Sequence, residues 1–142
     1  MSAAETDDLT SDDVQVSPLS RGLKSGGLRR VAAIDIGTNS THLLVASVDP
    51  VLGTFSIIQA EKSTTRLGER DPETGELSAA AMERGFETLR RFLDLANSHQ
   101  VEQVVTAATS AVREAPNGRD FLQSIKDELG IEVDLVSGPE EA

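Results

Sequence analysis

AAIDIGTNSTHLLVAS, residues 32–47, is an apolar run broken once. The break is a carboxylate, Asp35, followed at once by Gly37, Thr38, Asn39 and Ser40, a glycine and three small polar side chains. The end of a sheet strand is where a fold can hold one functional side chain at a cleft. An ionised Asp35 buried in such a strand requires compensation, from a divalent cation or from hydrogen bonds within the turn. Gly37 allows close approach of backbone to a ligand, while Thr38, Asn39 and Ser40 supply hydroxyl, amide and main-chain donors suited to phosphate oxygens. A plain hairpin turn, with Asp35 capping its own loop, uses the same residues.

Around this stretch the chain reads as a mixed α/β domain. Residues 29–37 form a first strand, 41–49 a second, and 53–67 a third after a turn at Pro50–Gly53. Only short turns join them, which favours antiparallel neighbours. Residues 68–76 are a polar loop, and Ser78 can cap a helix over 79–97 whose buried face is marked by Met82, Phe86, Leu89, Leu93 and Ala96. A strand follows at 102–109. A short helix at 110–115 is expected to stop at Asn117-Gly118, and a second helix over 119–130 ends on Gly130 as a C-cap. Residues 131–136 are the last strand, and SGPEEA, 137–142, opens as another helix with Pro139 at its first position. The element order βββαβαβ implies a mixed sheet with helices packed on it.

The 142 residues suffice for one domain with a real core. Residues 1–28 carry five acids before the first base and few large apolar side chains, a composition expected of a disordered tail; the domain proper spans 29–142. No apolar run is long enough to span a membrane, and the N-terminus lacks the pattern of a signal peptide. Cysteine is absent, which excludes disulfides and thiol chemistry, and His42 and His99 are isolated. These features point to a cytoplasmic protein. A net charge of −11 argues against nucleic acid or an anionic membrane as partner. It leaves room for a phosphate ligand, which a local set of N–H groups, arginines and a cation can hold.

Two further stretches carry chemistry. In TAATSAVREAPNGRDF, Thr109 and Ser110 lie where a strand meets a helix, with Arg113 one turn in. Backbone amides plus a guanidinium suit an anion, although an ordinary N-cap with a surface arginine has the same sequence. In SGPEEA, Glu140 and Glu141 are either surface acids favoured by a helix dipole or a source of one carboxylate able to orient and deprotonate water.

Taken in order, AAIDIGTNSTHLLVA, ATSAVREAPNGRDFL and GIEVDLVSGPEEA resemble the exopolyphosphatase and guanosine pentaphosphate phosphohydrolase (Ppx/GppA) family, over about Arg30–Ala142. D-x-G-x-N alone also fits sugar kinases and heat-shock chaperones; the TNS continuation and the later SGPEEA favour the phosphatases. The resemblance implies a ribonuclease-H-like half of the actin-like ATPase superfamily. It implies that Asp35 holds a divalent cation, Mg²⁺, directly or through water. Gly37, Thr38, Asn39 and Ser40 would form the first phosphate loop, Arg113 with Thr109 and Ser110 would contact the phosphate chain, and Glu141 would be the base that activates water. Arg66 in TTRLGE falls where members often carry a basic residue.

The implied reaction is in-line hydrolysis of a terminal phosphoanhydride of polyphosphate or guanosine pentaphosphate, catalysed mainly by positioning and electrostatics. The family's second, glycine-rich loop, D-x-G-G-G-S on a second duplicated domain, does not occur in these residues. A first domain only is therefore expected, inactive alone, which works with the missing second domain or a homodimer partner. The alternative is a non-catalytic module that binds a phosphorylated ligand or a partner.

Overall fold

A computed structural model describes residues 27–137 of the chain. The expected tail, apart from Gly27 and Leu28, and the Pro139–Glu141 helix start lie outside the described residues. Five strands form one sheet: β1 (Arg29–Ile36), β2 (Ser40–Asp49), β3 (Thr54–Thr64), β4 (Gln103–Ala108) and β5 (Val133–Leu135). Three helices accompany them: α1 (Ala79–Ser98), α2 (Ser110–Glu114) and α3 (Gly118–Leu129). The strand order is β3-β2-β1-β4-β5, with β3, β2 and β1 antiparallel and β1, β4 and β5 parallel. This is the ribonuclease-H-like arrangement expected from the sequence.

Alternation along β1 and β2 makes one face of the sheet the core. Ala32, Ile34 and Ile36 of β1 and Thr41, Leu43 and Val45 of β2 are buried on it, with Thr106 and Ala108 of β4. The helices cover this face with Ala81, Leu89, Phe92, Phe121 and Ile125. The other face carries Ala33, Asp35, His42 and Val105, all exposed. Asp35 is therefore not a buried carboxylate. It stands on the open face of the sheet.

Helix α1 begins where expected, with the Ser78 hydroxyl accepting from the Ala81 N–H at 3.1 Å. Its buried face differs in part. Leu89 and Ala96 are buried as expected, but Ala81, Gly85, Thr88 and Phe92 complete the set, while Met82, Phe86 and Leu93 are only partly buried. Small residues meet the sheet and permit close approach. The larger Phe86 turns towards α3 and packs edge to face on Phe121, with ring centroids 5.6 Å apart.

Between β4 and β5 the chain makes two helices, so the observed order is βββαβααβ. The break lies at Ala115, which is extended because the following Pro116 disfavours helical backbone there. Asn117-Gly118 is thus the start of α3, and not the stop of α2. The Asn117 side chain forgoes capping. Its Oδ1 accepts from the Leu77 N–H at 2.9 Å and its Nδ2 donates to the Leu77 carbonyl at 3.2 Å, so one amide satisfies both main-chain groups of a buried loop residue.

Apart from β2, which begins one residue earlier at Ser40, the strands are also shorter than expected. β3 releases Thr65, Arg66 and Leu67 into a loop, and one bulge interrupts its ladder: Gln59 pairs with Val45 and Ile57 with Ala46, leaving Ile58 as the surplus residue. At its other end the β2–β3 turn closes as expected, with Asp49 Oδ1 accepting from the N–H groups of Val51 and Leu52 and Gly53 at φ 71°.

Gly118 tests the packing of α3 on α2. A Cβ at this position would lie 1.9 Å from the Val112 carbonyl oxygen, a backbone atom that cannot swing aside. Gly118→Ala is expected to destabilise the domain by about 3 kcal/mol, the upper part of the range for overpacking, read as a lowered urea midpoint with an unchanged slope.

Candidate functional site

The parallel strands end together. Ile36 of β1 pairs with Ala108 of β4, and Ala108 pairs with Leu135 of β5. Carboxyl ends of parallel strands at one sheet edge are where α/β folds place ligand sites. Each of the three stretches singled out in the sequence leaves the sheet here.

The first is the turn between β1 and β2. The Gly37 N–H donates to the Ser40 carbonyl at 3.0 Å, and a Cβ on Gly37 would lie 2.9 Å from that same oxygen, so the bend requires glycine. Thr38 and Asn39 are exposed and Ser40 is half-buried. The second stretch joins the first directly: the Thr109 N–H donates to the Ile36 carbonyl at 3.1 Å, and the Thr38 and Ser110 hydroxyl oxygens lie 3.3 Å apart. The third is tied in through Arg113. Its guanidinium donates to the Val136 carbonyl and sits 3.5 Å from the Glu114 carboxylate, while the Val136 N–H donates to the Ala108 carbonyl. Gly37, Thr38, Asn39, Ser40, Thr109, Ser110 and Arg113 thus gather at one edge. Glu141 lies outside the described residues.

Asp35 stands one residue back from this edge on the open face, directly across from His42 of β2, which in turn faces Lys62 of β3. Among the described residues no group of three or more His, Asp or Glu side chains is arranged to hold a metal. Asp35 supplies one hard carboxylate oxygen donor, which fits a cation such as Mg²⁺ that would take its other ligands from water or a substrate.

The sequence reading missed the loop that carries the turn. Thr65 and Arg66 both donate their N–H groups to the Asn39 carbonyl, at 3.1 and 3.0 Å, and Gly68 donates to the Thr38 carbonyl at 2.9 Å. A Cβ on Gly68 would meet the Thr38 methyl at 2.7 Å. Beneath, the buried Thr41 and Thr65 hydroxyls bond at 2.9 Å. Arg84 of α1 clamps the loop from the far side: its Nε donates to the Thr65 carbonyl at 2.8 Å, and its Nη2 reaches the Glu69 carboxylate at 2.8 Å and the Arg66 carbonyl at 3.4 Å. Arg66 itself holds a left-handed backbone, φ 51°, which costs a non-glycine residue on the order of 1 kcal/mol. These contacts span residues far apart in sequence, so no local pattern announces them. The positive φ in a non-glycine residue is visible only in three dimensions.

The fold and the edge site define a mixed α/β domain whose polar segments converge at the carboxyl ends of its parallel strands. The sequence model of the Ppx/GppA phosphatase family matches residues 44–142, and the chain belongs to that family. A Ppx/GppA family member from Aquifex aeolicus is 35% identical and superposes with a TM-score of 0.75, over 80% of this chain and 37% of its own. An Aquifex aeolicus PPX-GPPA enzyme structure is 37% identical at a TM-score of 0.73, over the same shares of the two chains. An exopolyphosphatase from Cytophaga hutchinsonii is 33% identical at 0.72, over 78% of this chain and 35% of its own. The chain spans little more than a third of the length of these relatives. Among the described residues no helix is long and apolar enough to cross a membrane.

Arg84 holds the Glu69 carboxyl below the usual carboxylate range, chiefly through their hydrogen bond and then through charge, with Arg66 adding a smaller charge effect. A carboxyl so lowered stabilises the fold above its unfolded value and loses that contribution as pH falls through the folded one. Wild type is therefore expected to melt slightly above Glu69→Gln at neutral pH. The difference should vanish once pH drops well below about 4, as read from paired thermal melts across the acid range.

Proposed function

We propose that this chain builds the first half of the pocket of a phosphoanhydride hydrolase that releases terminal phosphate from polyphosphate or guanosine pentaphosphate. One observation carries the reading: the turn at Gly37–Ser40, the Thr109-Ser110 junction and the Arg113–Val136 contact meet at the carboxyl ends of β1, β4 and β5. Family membership and the solved exopolyphosphatase from Cytophaga hutchinsonii support it.

In this reading the hydroxyls and amide of Thr38, Asn39 and Ser40 bind phosphate oxygens at the turn that Gly37 bends. Thr109 and Ser110 complete that wall, and Arg113 both fixes the end of β5 and faces the phosphate chain. Asp35, with water and phosphate oxygens, would hold Mg²⁺, which when bound neutralises charge on the phosphate chain. Glu141 follows Val136 by five residues and serves as the base that takes a proton from the attacking water. Residues 29–142 then act as a first domain. The second phosphate loop comes from a second domain or from a homodimer partner, in a cytoplasmic enzyme.

The 142-residue chain with Mg²⁺ and either substrate is expected to release phosphate no faster than a blank, in a colorimetric assay, while binding tripolyphosphate in calorimetry. Efficient hydrolysis by this chain alone would show that it needs no second half. Absence of tripolyphosphate binding would leave the non-catalytic, partner-binding reading. In a polypeptide carrying both halves, Glu141→Gln should lower kcat by roughly 100- to 10,000-fold and spare binding; full turnover in that variant would remove Glu141 from the role of base.

A further inference from the structure

Loop 65–69 offers more than support. Its main chain is held on both sides: Thr65, Arg66 and Gly68 donate to the Asn39 and Thr38 carbonyls, and the Thr65 and Arg66 carbonyls accept from Arg84. What remains directed outward is the Arg66 guanidinium. The side chain is 56% exposed, and its partner among the described residues is Glu69, 3.4 Å away and itself 49% exposed. That contact is long and open to water, and Glu69 is already engaged by Arg84 at 2.8 Å. An exposed pair of this kind binds weakly. Arginine is also an unfavourable choice at φ 51°, where glycine sits without strain. A strained residue fixed by its surroundings, with a loosely held cation, next to an anion-binding turn, points to use of that cation.

We propose that Arg66 forms a second phosphate subsite, which takes an interior phosphate of a condensed phosphate chain whose end lies at the Gly37–Ser40 turn. Glu69 is its built-in competitor: it holds the guanidinium while the site is empty and yields it to phosphate, a stronger, bidentate partner. Arg84 is a positioning residue that keeps Glu69 and the loop in place throughout. This proposal rests on the turn being a phosphate site, and it predicts discrimination by chain length, since Arg66 takes a phosphate other than the one at the turn.

Calorimetry of the 142-residue chain with Mg²⁺ and either orthophosphate or tripolyphosphate, together with thermal melts, tests it. Arg66→Gly is expected to weaken tripolyphosphate binding about tenfold, leave orthophosphate within about twofold, and keep the melting temperature at or above that of wild type. Arg66→Lys should recover part of the affinity, and Glu69→Gln should tighten tripolyphosphate binding about twofold. Tripolyphosphate affinity unchanged in Arg66→Gly overturns the subsite and leaves the turn's role standing. Equal losses for both ligands, or a lowered melting temperature, make Arg66 structural and overturn the subsite as well. Failure of wild type to bind either ligand overturns the phosphate reading of the turn, and the subsite with it.

Discussion

The structure depends on the register that sets Ile36, Ala108 and Leu135 side by side. That register follows from burial. A shift of β4 by one residue would turn Thr106 and Ala108 out of the core and present Val105 and Ala107 to the helices. The apolar contacts of one sheet face thus decide where three polar segments emerge, although none of those segments contributes much to the core. Positioning at the edge comes from burial many ångströms behind it.

At the edge itself the turn and loop 65–69 satisfy one another's backbone. Asn39 and Thr38 lend carbonyls, the loop lends N–H groups, and Arg84 accounts for the carbonyls on the loop's far side. Hydrogen bonds tie the three elements together, Leu67 anchors the loop in the core, and Arg66 carries the backbone strain. The chain's net charge is −11, yet Arg66, Arg84 and Arg113 are gathered around this edge. Glu69 and Glu114 stand among these arginines, so the acidic excess of the whole chain is offset locally.

Much of the fold was legible in the sequence because its signals are local. Ser78 announces α1, Gly130 ends α3, and the Asp49–Gly53 turn separates two strands of β-forming residues. What was not legible had nonlocal causes. Asp35 reads as buried because Val31 and Ala33, on the same open face, are apolar too, so the alternation that would have revealed an exposed side is hidden. Thr65–Leu67 continue a β-like composition and leave the strand where Asn39 claims the N–H groups of Thr65 and Arg66. Arg84 looks like any helix-surface arginine. The turn, the Thr109-Ser110 junction and Arg113 could be named from sequence, whereas the loop that fixes the turn could not.

The bulge at Ile58 divides the β2–β3 ribbon into two parts with different freedoms. A surplus residue absorbs twist and register within one or two positions. Pairing from Val45 to Ser40 is therefore insulated from what happens beyond Ala46. Lengthening, shortening or recomposing the distal bend, with its exposed Val51, Leu52 and Phe55, is dissipated before it can reach Thr41 and the Gly37–Ser40 turn. The outer tip of the hairpin is free to diverge among relatives while the inner half keeps its geometry, so one extra isoleucine separates a tolerant segment from an intolerant one.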